Sequence, residues 1–171
     1  MSDTQTPVGG PAADNSTPAA GLMAQYVKDL SFENPSAPIS NQQFGRSTPN
    51  IDVNVNVSVR KLGDEAYEVE LKLKATAKTK AEDDSEMTAY IVELAYAGLF
   101  GMRNIPEEQL RPFLLIQGPA MLFPFARRVV ADAVRDGGYQ PLMLEPINFD
   151  ALYQQQQAAG EGDLPQPTEL N

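Results

Sequence analysis

The feature that most constrains this chain is a run of β-branched residues at every second position. From Ile51 to Val59, isoleucine or valine occupies each odd position, and Asp, Asn or Ser fills the positions between. Successive side chains of a β-strand point to opposite faces, so this period of two predicts a half-buried strand. The turn Lys61–Glu65 contains glycine, and the alternation resumes from Tyr67 to Ala77. The sequence therefore predicts an antiparallel hairpin.

Two other segments complete a predicted four-stranded sheet. Met87–Phe100 is apolar at nearly every position apart from Glu93, which is typical of a strand covered on both faces near the sheet centre. An earlier strand spans Tyr26–Glu33. Strict alternation there places Tyr26, Lys28, Leu30 and Phe32 on one face, and Val27, Asp29, Ser31 and Glu33 on the other.

The period then becomes helical. Asn104 followed by Glu107 resembles a capping box, and Gly137–Gly138 supplies a stop. Because three prolines at positions 112, 119 and 124 interrupt the segment, we expect a short helix followed by a longer one from about Pro119 to Asp136. Asn148 is a suitable N-cap for a short terminal helix.

Both ends of the chain differ in composition from the middle. Residues 1–21 are rich in Ser, Thr, Pro, Gly and Ala, and the segment after Gln155 is rich in Gln, Gly and acidic residues. Such compositions bury too little apolar area to offset the entropy of ordering. We predict disordered tails at residues 1–21 and 156–171 around one folded domain at residues 22–155.

Composition excludes several classes of function. The chain has 171 residues, no His and no Cys, so imidazole proton transfer, thiolate nucleophiles and Cys or His zinc sites are absent. A formal charge of −10 opposes nucleic-acid binding. No signal peptide and no 18-residue apolar run is evident in the sequence, which favours a soluble cytoplasmic protein without membrane insertion.

An enzyme is also a poor fit to the acidic residues. Adjacent acidic pairs that could act together include Glu107–Glu108, at a predicted helix start, and Asp83–Asp84, in a charged turn. Solvated roles are much commoner at such places than catalysis. No Asp-x-Asp-x-Asp-Gly calcium loop occurs. We therefore predict a protein that is not an enzyme and has no metal or cofactor.

Three sequence motifs are specific enough to compare with known families. They are Lys-Asp-Leu-Ser-Phe-Glu at residues 28–33, Leu-Phe-Pro-Phe-Ala-Arg at 122–127 and Pro-Ile-Asn-Phe-Asp-Ala-Leu at 146–152. Together they resemble the SecB family of bacterial protein-export chaperones. The resemblance implies an α+β subunit, with helices on one face of a four-stranded antiparallel sheet, assembled as a homotetramer, a dimer of dimers. It also implies that the protein binds unfolded preproteins and delivers them to the ATPase SecA, without hydrolysing nucleotide itself.

A chaperone of this kind needs exposed apolar side chains for its clients. The candidates lie on the long connection before the hairpin and around the terminal helix: Phe44, Ile51, Leu142, Leu144, Phe149, Leu152 and Tyr153. Ordinary core packing is an equally open interpretation for each of them. The connection from Asn41 to Pro49 departs from the family pattern.

The resemblance also implies a contact surface for SecA, formed by Asp29, Glu33, Ile91 and Glu93. The alternative is that these acids only keep the sheet soluble. The helix after Pro119 is apolar on more than one side, which predicts an oligomer interface at Leu122, Phe123, Phe125, Val129 and Val130. The alternative there is a core helix buried within one subunit.

A second functional class remains open from the sequence. A SecB-like protein that serves one dedicated partner, such as a toxin–antitoxin component, would carry the same motifs. Recovery of one bound protein, in place of many unfolded ones, would distinguish it from a general export chaperone.

Overall fold

The computed structural model describes residues 17–160 and has the predicted α+β architecture. Four strands form one antiparallel sheet in the order β1-β4-β3-β2. The strands are β1 (Ala19–Glu33), β2 (Asn50–Lys61), β3 (Ala66–Lys80) and β4 (Glu86–Arg103). The helices pack on one face, which we call the inner face. The opposite face is the outer face.

The hairpin of β2 and β3 has the register that its alternating pattern requires. Val55 pairs with Leu73, Val57 with Leu71 and Val59 with Val69, so apolar side chains meet on the inner face. The turn closes where the Leu62 amide donates to the carbonyl of Ala66 at 2.8 Å.

β4 lies at the sheet centre, as predicted, but helices cover only its inner face. Tyr90, Val92, Leu94 and Phe100 are buried beneath the helices. On the outer face the strand carries Ile91, Glu93, Ala95 and Leu99, which neighbouring strands cover only in part, and Ala97, which is buried. The apolar run therefore reflects a central position in the sheet and not two covering layers.

The prediction of strict alternation in β1 is wrong. The β1–β4 register shifts between Val27 and Asp29, because a bulge inserts one extra residue. As a result Val27 pairs with Tyr96 over the inner face. Tyr26 instead joins Asp29 on the outer face, where its hydroxyl reaches Glu68.

The helical region is continuous from Glu107 to Asp136. It comprises α2 (Glu107–Pro112), a π-helical turn (Phe113–Gln117) and α3 (Gly118–Asp136); a short α1 (Ile39–Gln43), not predicted, precedes the hairpin. Pro112 has no backbone N–H to donate, and the wider π-helical turn that follows it accommodates this missing hydrogen bond. The prolines therefore do not break the run. Gly137 ends α3 as predicted.

The predicted capping box is not formed. Asn104 has a positive φ of 52°, and Pro106 occupies the N-cap position of α2 without a side-chain hydrogen bond. The cap of α4 (Phe149–Ala158) does form, since Asn148 Oδ1 accepts a hydrogen bond of 3.0 Å from the Ala151 amide. One predicted N-cap is thus confirmed and the other is wrong.

The outermost regular elements extend a few residues beyond positions 22 and 155. β1 begins at Ala19 and α4 continues to Ala158, so a few residues assigned to each tail belong to regular elements. The rest of the predicted tails, residues 1–16 and 161–171, lies outside the described residues.

α3 lies close against β4 at Gly98. A Cβ atom there would stand 2.7 Å from Leu122 Cδ2 and 2.9 Å from Leu22 Cδ1. These distances are shorter than packed side chains allow, so glycine lets α3 lie directly on β4. Leu122 is fully buried by this approach.

The run Glu107–Asp136 is long and apolar enough to cross a membrane by length and composition alone. In this fold it is the core helix, since Leu122, Val130 and Val134 are buried in the hydrophobic core. Core helices commonly meet the same criterion, so it is weak evidence for a span.

Candidate functional site: an aromatic cleft and a polar sheet face

Four aromatic rings converge at one end of the inner face; we call this group and the adjoining cavity the aromatic cleft. Phe44 meets Tyr139 edge-on with centroids 4.8 Å apart and lies 5.8 Å from Tyr90. Tyr90 is 4.9 Å from Tyr139 and stacks on Phe32 at 5.7 Å. Such pairs stabilise one another beyond their buried area, so the rings form a defined wall.

Separate elements bring these rings together. Phe44 ends α1, and Tyr139 follows the glycines that terminate α3. Tyr139 Oη lies 2.8 Å from both Asn34 Oδ1 and Ser40 Oγ and 3.0 Å from the carbonyl oxygen of Ala89. This buried network fixes the ring of Tyr139 relative to the sheet.

The aromatic wall of the cleft carries no charge. Burial, with the nearby Tyr139 phenol, raises the pKa of Tyr90 to about 12, so its phenol stays protonated throughout the physiological range. The cleft is thus aromatic and uncharged at its base, which suits apolar and aromatic side chains of a bound chain.

A cavity of about 610 Å³ opens beside the rings. Phe44 and Tyr139 form its aromatic part, and Asn41, Gly138, Gln140 and the segment 45–49 form the remainder. The lining therefore combines aromatic surface with hydroxyl and amide side chains and the Arg46 guanidinium. The segment that departs from the family pattern is one of its walls.

The predicted client contacts divide between surface and core. Phe44 lies in the cleft, while Ile51, Leu142, Leu152 and Tyr153 are half-buried against the core. The expectation that Leu144 and Phe149 are exposed to clients is corrected, because both are buried core residues. Phe149 packs edge-on against Phe123, with ring centroids 6.0 Å apart.

α4 packs against the π-helical turn, so its residues do not adjoin the aromatic cleft. Sequence reasoning missed Phe32, Tyr90 and Tyr139 in the cleft. The only local signal for Tyr139 was an aromatic residue directly after the helix stop.

The outer face brings together the four residues predicted to contact SecA. Across β1, β4 and β3, one row contains Ser31, Glu93 and Lys74, and the next contains Glu33, Ile91 and Thr76. Asp29 is in the row beside them, opposite Ala95. The residues therefore share one patch, although contact with a partner stays a prediction.

An ionic cluster that the sequence did not reveal lies at the other end of the outer face. Glu68 accepts hydrogen bonds from Tyr26 Oη at 2.6 Å, Lys28 Nζ at 2.9 Å and an Arg60 nitrogen at 3.1 Å. Lys28 also pairs with Glu70. Burial raises the pKa of Glu68, but the bonds from Tyr26 and Lys28 outweigh it and hold the pKa below its usual value.

The predicted oligomer interface on α3 requires correction. Leu122, Phe123 and Val130 are buried within the subunit, because this side of the helix lies on the sheet. Phe125 is 44% exposed and Val129 is half-buried. These two remain available to a partner.

Other apolar side chains join them at the surface. Met121 on α3 is 42% exposed, and Val27 and Leu30 on the inner face of β1 are each 44% exposed. We call these three residues together with Phe125 the apolar strip.

Among residues 17–160, no group of three or more Asp, Glu, His or Cys side chains is placed to hold a metal ion.

Comparison with known proteins gives a consistent result. The family model described as preprotein translocase subunit SecB matches residues 13–160. A protein-export protein SecB from Sphingopyxis alaskensis is 50% identical over 161 residues, covering 94% of this chain and 90% of the relative. The SecB from Rhizorhabdus wittichii is 56% identical over 139 residues, covering 81% and 80%.

A solved structure also matches. A SecB-like chaperone from Mycobacterium tuberculosis, in complex with an antitoxin peptide, has a TM-score of 0.61 and 17% identity, over 75% of this chain and 90% of that one. At this identity the likeness shows the fold alone.

Proposed function

Because this chain belongs to the SecB family of protein-export chaperones, we propose that it binds unfolded preproteins in the cytoplasm and delivers them to the SecA ATPase. It works without catalysis or a cofactor of its own. The aromatic cleft is the observation that carries the proposal, because a cleft with a rigid aromatic wall beside hydroxyl and amide side chains suits extended segments of varied sequence.

Binding of clients is expected to be distributed over several sites. One cleft provides few contacts, and each is weak, so a long unfolded chain gains affinity by engaging clefts on several subunits. Half-buried apolar residues such as Ile51 and Leu142 extend the available surface. This arrangement favours unfolded chains over folded proteins, because only the former can reach more than one cleft.

The test is substitution in the cleft. Phe44→Ala should weaken binding of a urea-unfolded preprotein by roughly tenfold or more, as expected for an aromatic anchor, measured by calorimetry after dilution. Leu62→Ala is the matched control, since Leu62 is 48% exposed in the hairpin turn. Unchanged affinity of a folded Phe44→Ala protein would exclude the cleft as the client site.

The outer patch of Asp29, Glu33, Ile91 and Glu93 is the proposed SecA contact. Charges at an interface rim chiefly govern encounter and orientation, so Asp29→Lys with Glu93→Lys should weaken SecA binding and spare client binding. An equal loss of both affinities would contradict two separate surfaces.

We also propose that the subunit assembles as a dimer of dimers through the apolar strip. Four half-exposed apolar side chains on adjacent elements are a large patch for a monomer. A tetramer would have a mass of about 74 kDa, four times 18.6 kDa. Phe125→Asp should lower the sedimenting mass; a wild-type protein that sediments as a monomer at micromolar concentration would contradict assembly.

The proposed division of the chain is one chaperone domain, predicted at residues 22–155 and extended by the ends of β1 and α4, between two tails. Export is favoured over service to one dedicated partner, because the relatives at 50% and 56% identity are protein-export proteins. Purification of the protein with many unfolded proteins bound would support export, and a single stoichiometric partner would oppose it.

A further inference from the structure

The carboxylates of the outer patch do not have equivalent surroundings. Glu93 lies opposite Lys74 across the β3–β4 pair, and Lys74 Nζ is 2.5 Å from Glu93 Oε1. Both side chains are about half exposed, at 54% for Lys74 and 47% for Glu93. In the free protein, therefore, Glu93 already has a cationic partner that is accessible from solvent.

The other two carboxylates differ from Glu93. Within residues 17–160, neither Asp29 nor Glu33 forms an ion pair, and the adjacent Lys72 is engaged by Glu70 at 3.1 Å. Lys74 is thus the counter-ion that neutralises part of the patch. Its pKa is raised, chiefly by the hydrogen bond to Glu93, so it stays charged at neutral pH.

The geometry places Lys74 where a partner would dock. A depression of about 340 Å³ on the outer face is lined by Asp29, Glu93, Lys72 and Lys74, with Ala95 between the two charged edges. The small side chain of Ala95 leaves this floor open. A side chain that reaches Glu93 from solvent must therefore come close to the Lys74 ammonium.

We propose that Lys74 determines the strength of partner binding by competing with a cationic side chain of SecA for Glu93. The inference deepens the proposed function and depends on it. Asp29 and Glu33 form no salt bridge within residues 17–160 and can receive basic groups of the partner, although Lys74 also attracts Glu33. Glu93 instead exchanges its internal counter-ion for one from the partner. If Lys74 stayed on Glu93, its ammonium and the cation of the partner would both contact one carboxylate, and their repulsion would weaken binding.

Removal of the competitor should therefore strengthen the complex. Lys74→Met removes the competing cation and should tighten SecA binding at low ionic strength. The expected gain is only about three- to tenfold, because exposed ion pairs are individually weak. The gain should shrink as salt is added, because these groups are exposed to screening. Methionine retains the aliphatic stem, which packs on the sheet.

The matched control is Lys78→Met. Lys78 lies on the same strand and pairs with Glu86 at 2.7 Å, but it is four residues, or about 13 Å, beyond Lys74. The Lys78→Met substitution removes the same charge from the protein and leaves the residues that line the depression unchanged. SecA affinity of this variant should stay within about twofold of wild type.

The experiment is calorimetric titration of SecA into the wild-type, Lys74→Met and Lys78→Met proteins at two salt concentrations. Tighter binding only for Lys74→Met supports the inference. Unchanged affinity refutes competition, and weaker binding refutes it too, because Lys74 would then contact an acidic group of SecA. Should Lys74→Met fail to assemble, Lys74→Thr, which suits a strand, replaces it.

A double-mutant cycle separates this inference from the proposed function. Glu93→Gln should weaken SecA binding more in the Lys74→Met background than in wild type, because the carboxylate is then wholly available to the partner. If wild-type protein does not bind SecA at all, the proposed function fails. If it binds and the cycle shows no coupling, only the role of Lys74 fails.

Discussion

The buried carboxylate of Glu68 provides a stability prediction that depends on pH. Glu68 is 4% exposed, and its three hydrogen-bond partners come from both edge strands: Tyr26 and Lys28 from β1, and Arg60 from β2. The cluster thus ties β1 to β3 across the intervening β4. Glu68→Gln keeps the size of the side chain and removes its charge.

The size of the effect follows from these bonds. A hydrogen bond to a charged group contributes about 1.5–3 kcal/mol, against about 0.5–1.5 kcal/mol for a neutral one. With glutamine, the bond from the Tyr26 phenol joins two neutral groups, and the ion pairs with Lys28 and Arg60 become bonds between a cation and a neutral amide. Lys28 keeps its pair with Glu70. The free energy of unfolding should therefore fall by about 2 kcal/mol at pH 7.

The dependence on pH follows from the direction of the shift. The pKa of Glu68 is lower in the folded protein than its usual value. Such a carboxyl stabilises the fold above its unfolded pKa of about 4.3, and this contribution is lost as the pH falls through the folded pKa. The difference between wild type and Glu68→Gln should therefore narrow steadily below about pH 4.

The assay is urea unfolding followed by circular dichroism at pH 7 and pH 3.5, with one protein concentration throughout because assembly contributes to stability. Glu86→Gln is the control, since its pair with Lys78 is exposed and should change stability by less than about 0.5 kcal/mol. Equal stability of wild type and Glu68→Gln at pH 7, or a difference in stability as large at pH 3.5 as at pH 7, would refute the reasoning.

Three further substitutions test the packing. Gly98→Ala should lower the free energy of unfolding by about 1–3 kcal/mol, because its Cβ would overlap Leu122; unchanged thermal unfolding would show that α3 can move away. Tyr139→Phe should cost about 1–3 kcal/mol, since the Ala89 carbonyl loses its phenol donor, and intact stability in urea would mean that the network is dispensable. Asn148→Ala removes the N-cap of α4 and should cost about 1 kcal/mol, visible as faster amide exchange in α4; no change there would contradict a role for the cap.

Much of the fold was predictable because its signals are local. The period of two from Ile51 to Ala77 depends only on neighbours along the chain, and the observed β2–β3 register agrees with it. The same holds for the N-cap Asn148 and the stop at Gly137. The π-helical turn was missed because proline signals a lost hydrogen bond but not how the helix adjusts.

The candidate site was less predictable because it is assembled from distant parts of the chain. Phe44 and Tyr139 are far apart in sequence and meet only when α1 and the end of α3 pack on the same part of the sheet. Glu68 looked like an ordinary solvent-facing acid in an alternating strand. Its burial depends on side chains from both edge strands.

The sequence by itself determined the existence of the four strands, the end of α3, the start of α4 and, through three motifs, the family, since each of these is written in short stretches of chain. Tertiary structure alone decided which faces those elements present. The bulge before Asp29 turns Tyr26 to the outer face, and the position of α3 buries Leu122 while leaving Phe125 exposed. These outcomes depend on non-local packing. The same local residue pattern is compatible with either face of a strand or helix being buried, until a neighbouring element covers one of them.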